Sequence, residues 1–106
     1  MKTLEELRFD LKCVRRHYPG YTRTFSPAWY WDRDFRELDA LRTAFEYAVK
    51  DAPAPLRAVY DGMYRYGKTQ KQIAAERQVS EKYIQILHKR LILFFHAHFA
   101  GEKEGM

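Results

Sequence analysis

Over residues 3–18, Leu4, Leu7, Leu11, Val14 and Tyr18 recur at intervals of three and four with charged side chains between them. That period predicts an amphipathic helix with one apolar face. Thr3 followed by Glu6 has the form of a capping box at its start, and Pro19-Gly20 stops it. Residues 21–32 have no clear period. They hold Ser26, Pro27 and the cluster Trp29-Tyr30-Trp31, and read as an ordered loop whose aromatics plug the core rather than stack on unpaired bases. A second helix is predicted over 33–51, where Phe35, Leu38, Leu41, Phe45, Ala48 and Val49 trace one face and Arg36, Glu37, Asp39, Arg42 and Glu46 another. Ala52-Pro53-Ala54-Pro55 ends it, because each proline disfavours helix in the residue before it. Leu56, Val59, Met63 and Tyr66 then propose a third helix, with Pro55 in its first turn and Gly67 at its C-terminal cap.

The next stretch carries the sharpest signals. Thr69 with Gln72 is a second capping box, opening a short helix through Arg77, and Ser80 is a good N-cap for a longer one running toward Phe99. Only Gln78 and Val79 separate the two, the spacing of a helix-turn-helix whose second helix enters a DNA major groove. The motif asks for a small residue at the helix crossing, an apolar anchor in the turn and apolar residues on the buried side of the second helix. Ala74, Val79, and Ile84 with Leu87 supply these, and Ile73 packs from the first helix. Gln78 stands where φ > 0 is needed, at a cost of order 1 kcal/mol relative to glycine. No useful run alternates with period two, so the fold expected is all-α, about five helices with a C-terminal helix-turn-helix. Residues 1–52 form an N-terminal helical part, 55–100 the helix-turn-helix part and 101–106 a tail, within one compact domain.

Composition narrows the function. With 46% hydrophobic and 31% charged residues among 106, and only five Gly and four Pro, the chain is foldable rather than disordered or fibrous. That length leaves no room for a second catalytic domain. The net charge of +5 is a modest lean toward a polyanion, but its distribution is informative. Residues 57–98 carry eight Lys or Arg against three acids, whereas residues 1–56 carry ten against nine. The single Cys13 cannot form an internal disulfide and reads as a small buried apolar residue beside the first helix. The N-terminus lacks the apolar core of a signal peptide, and the run of residues 91–95 is far short of the roughly 20 needed to span a bilayer. A cytoplasmic protein with no membrane association is expected. No nucleophile–base pair, carboxylate dyad or phosphate-cradling Gly-rich loop suggests an enzyme, and no cofactor is implied. His88, His96 and His98 lack zinc-ligand spacing, so no metal site is expected.

The run GKTQKQIAAERQVSEKYIQILHKRL resembles region 4 of bacterial RNA polymerase sigma factors through Gly67, Thr69, Ile73, Ala74, Val79, Ser80, Ile84 and Leu87. It is also similar to short sigma-region-4-like proteins of phages and mobile elements, such as the ArpU-type late-gene activators. The resemblance covers about residues 56–95, and residues 1–52 carry none. It implies a sequence-specific DNA-binding transcriptional regulator with double-stranded DNA as partner, and contact with RNA polymerase through the N-terminal half. Glu81, Lys82, Tyr83, Gln85, His88 and Lys89 would read base edges, with Gln85 suited to adenine and Lys82 to guanine or phosphate. Lys68, Thr69, Lys71, Arg77, Ser80 and Arg90 would hold phosphates. Two alternatives stay open: a DNA-packaging protein like a phage terminase small subunit, and a helix-turn-helix scaffold reused for protein contacts. Around residues 91–99, Ile86, Leu93 and Ala97 widen the apolar surface beyond what one helix face requires. Either the N-terminal helices wrap onto it, the favoured reading, or two chains form a homodimer through it.

Overall fold

In the computed structural model, which describes residues 2–16 and 35–104, Thr3 caps the first helix as its sequence requires. Its hydroxyl accepts the Glu6 N–H at 3.1 Å and the Glu6 carboxylate accepts the Thr3 N–H at 3.2 Å. Those bonds favour the ionised carboxylate and hold the Glu6 pKa below its ordinary value. Helix α1 (Leu4–Arg16) presents Leu7, Leu11 and Val14 to the core, while Asp10, on its buried side, is ion-paired with the Lys2 ammonium. Cys13 is fully buried beside Leu38. The expected aromatic loop of residues 21–32, with Trp29-Tyr30-Trp31, lies outside the described residues, as does Tyr18.

Helix α2 (Phe35–Val49) buries Leu38, Phe45, Ala48 and Val49, the face its periodicity indicates. The chain then turns through Ala52, and Pro53 caps α3 (Ala54–Tyr60) with Pro55 in the first turn, where a missing N–H costs nothing. Helix α3 does not stop at Tyr60. It widens into a π-helical turn, Asp61–Arg65, in which the Tyr66 N–H reaches back to the Asp61 carbonyl at 3.0 Å. The extra residue in that turn breaks the expected register: Leu56, Val59 and Met63 are buried, but Tyr66 is 64% exposed, and Tyr60 and Tyr64 take the inward places. Gly62 sits where this turn meets the next helix. A Cβ there would come within 2.7 Å of Ile73 Cδ1, so any larger residue would require the Ile73 side chain to shift.

After Gly67, at φ 67°, come α4 (Gln70–Arg77) and α5 (Glu81–Glu104). Among the described residues there are five helices and no strand, and none of the helices is long and apolar enough to cross a membrane. Helix α5 is the axis of the fold, and α1, α2, α3 and α4 all pack against it. One cluster of buried residues takes in Leu7, Phe45, Tyr60, Ile73 and Phe95, and so spans both sides of the Ala52–Pro55 break. Its aromatic centre is edge-to-face: Phe45 and Phe95 lie 4.8 Å apart at 70°, and Tyr60 and Phe95 5.9 Å apart at 75°. The helices wrap onto residues 91–99, burying Leu91, Ile92 and Phe95 and partly covering Phe94 and Phe99. Leu93 stays 55% exposed, on the side of α5 away from that packing.

Candidate nucleic-acid interface

The junction of α4 and α5 is built by three local devices, each visible in a side chain or dihedral. The Thr69 hydroxyl accepts the Gln72 N–H at 3.1 Å, and Gln72 Oε1 accepts the Thr69 N–H at 2.8 Å. At the far end of α4, Gln78 adopts φ 57° and ψ 44°, the left-handed conformation. Its N–H donates to the Ala75 carbonyl at 3.3 Å and the Val79 N–H to the Ala74 carbonyl at 3.0 Å, the paired bonds of a Schellman turn. The chain leaves this turn straight into Ser80, whose Oγ accepts the Tyr83 N–H at 3.0 Å and so caps α5. Ile73, Ala74, Ile84 and Leu87 are buried where the two helices meet. Val79, expected as the turn's apolar anchor, is 38% exposed and lines an open groove of about 400 Å³ with Ala58, Tyr83 and Leu87.

Helix periodicity now separates the expected base-reading residues. Glu81, Lys82, Tyr83, Gln85 and Lys89 are all exposed on α5. His88 is not among them and corrects the expectation. Four residues after the fully buried Ile84, it is rotated from that position by only about 40°, so its ring turns inward. It stacks on Tyr64 at 6.0 Å and 24°, with its Nε2 2.5 Å from the phenol oxygen. Burial, and then the charge of Arg8, push the His88 pKa below its ordinary value, while burial pushes that of Tyr64 up. Both shifts favour a neutral pair in which the phenol donates to Nε2.

The expected phosphate-holding residues also differ in availability. Lys71, Arg77, Ser80 and Arg90 are exposed. Thr69 is exposed too; its hydroxyl accepts within the cap, which leaves its O–H able to donate outward. Lys68 is engaged, with its ammonium 2.7 Å from the Glu76 carboxylate and 5.8 Å from the Tyr66 ring centre.

Two residues at or beside this junction take parts not expected from the sequence. Arg15, on α1, extends Nη2 to the Gly67 and Lys68 carbonyls at 3.3 Å each, and so ties the segment that launches α4 to the N-terminal helix. Nothing in the sequence signals a contact between positions 52 and 53 residues apart. Ile86 is 41% exposed in the middle of the outward face of α5. By sequence it belongs to an apolar surface to be covered; instead it stands in solvent one turn from Lys82, because the other helices pack on the opposite side of α5. Among the described residues no group of three or more His, Cys, Asp or Glu is placed to hold a metal ion. No family model, curated protein or solved structure matches the chain.

Proposed function

We propose that the chain is a sequence-specific DNA-binding regulator whose α4–α5 unit is a helix-turn-helix of the sigma-region-4 kind. The observation that carries this reading is the junction itself. Two capped helices joined through a left-handed residue fix the outward face of α5, where Glu81, Lys82, Tyr83, Gln85 and Lys89 stand in solvent. That face has the donors and acceptors that a major groove matches, while Lys71, Arg77 and Arg90 supply charge for the flanking phosphates. The fold gives α5 a rigid base, because its opposite side is buried against the other four helices. The proposal assigns the chain no catalytic step.

A salt titration tests it. Binding of the full chain to duplex DNA is expected to fall linearly in log–log form, with a slope near −0.9 for each phosphate neutralised. Absence of affinity for duplex DNA at low salt would refute the reading and leave the motif as a scaffold for protein contacts.

A further inference from the structure

Ile86 is a branched aliphatic residue, 41% exposed, with exposed cations around it: Lys82 one turn before, Lys89 and Arg90 one turn after. We infer that Ile86 is a specificity residue that recognises the C5-methyl group of thymine in the major groove. This rests on the DNA-reading role proposed for α5 and adds to it a residue and a base.

Residues four apart on an α-helix differ by about 40° in direction and about 6 Å along the axis. A docking that lays α5 along the groove with Lys82 at the base edges therefore brings Ile86 to base edges about 6 Å further on, with Gln85 flanking it. Chemistry then selects the base. Major-groove edges present hydrogen-bond donors and acceptors, and thymine alone adds a methyl group. Against a polar edge, the isoleucine strips water and returns no hydrogen bond, which is unfavourable. Against the methyl, both surfaces leave water, which is favourable. Ile86 thus selects for thymine and against a polar edge at one position. Leu93 points the same way and is 55% exposed, but lies seven residues on, about 10 Å further along the helix. It serves as the control for an apolar surface that simply adheres.

The experiment uses the full chain and a duplex selected from random DNA, in which each thymine is replaced in turn by deoxyuracil to remove only the methyl. The wild type is expected to bind about fourfold more weakly when one particular thymine is replaced, the size of one lost methyl burial. Ile86→Ala should bind both duplexes equally, and Leu93→Ala should keep the fourfold difference, with circular dichroism showing both variants folded. Equal binding of both duplexes by the wild type overturns the inference, as does an undiminished difference in Ile86→Ala or a selected site without thymine. Absence of salt-dependent binding to any duplex instead removes the DNA-reading role itself, and the inference with it.

Discussion

Gln78 offers a direct measure of how the α4–α5 turn is held. It adopts φ 57° and ψ 44°, and its side chain is exposed, so replacing it removes no packing. The left-handed conformation costs an L-residue roughly 1–2 kcal/mol through the contact of its Cβ with the backbone. Glycine escapes that contact but adds about 0.5–1 kcal/mol of unfolded-chain entropy. Gln78→Gly should therefore stabilise the protein by about 0.5–1 kcal/mol. For a domain of this size that corresponds to a rise in Tm of about 3–6 °C. Gln78→Val should move it the other way by about 1 kcal/mol or more, since a β-branched residue is least tolerant of positive φ. Thermal and urea unfolding followed by circular dichroism reads both. If glycine fails to stabilise and valine fails to destabilise, the turn is not left-handed in solution, and the fixed angle between α4 and α5 loses its basis.

Other consequences are equally specific. His88 has a folded-state pKa below its unfolded value of 6.5, so its neutral form contributes stability that is full above that pH and is lost as pH falls through the folded pKa. His88→Gln should flatten the decline in urea stability just below pH 6.5, and an unchanged profile would contradict the neutral pair with Tyr64. Arg15→Ala leaves the Gly67 and Lys68 carbonyls without their donor and should cost about 1–3 kcal/mol in urea unfolding, with Arg15→Lys recovering only part. Glu76→Gln releases Lys68 from a largely exposed ion pair. It should leave stability within about 0.5 kcal/mol, while making the salt dependence of DNA binding steeper by about 0.9.

Three of the five helices were legible because a capping side chain marks each start, and a fourth because Pro55 stands in its first turn. Thr3 with Glu6, Thr69 with Gln72, and Ser80 all make the bonds their spacing implies. Gln78 was legible for a different reason: two residues between capped helices force a left-handed position whatever residue stands there. Periodicity failed where the backbone left the α-helical period. The π-turn at Asp61–Arg65 moved Tyr66 outward and left Tyr64 to pair with His88, and no local signal marks an i to i+5 bond. The half-burial of His88 follows from that pairing, which joins residues 24 positions apart. For the candidate interface, the polar face of α5 was legible from a helical wheel, whereas exposure of Ile86 required knowing which side the other helices cover.

The central claim is that the outward face of α5 reads base sequence, and the most direct test is the sequence that DNA selection returns for altered proteins. Lys82→Ala and Gln85→Ala are exposed substitutions that should leave the fold intact. Each is expected to change the preferred base at one position of the site selected by the wild type, at about 1–3 kcal/mol of discrimination. An unchanged selected sequence in both variants, with binding retained, would contradict the account.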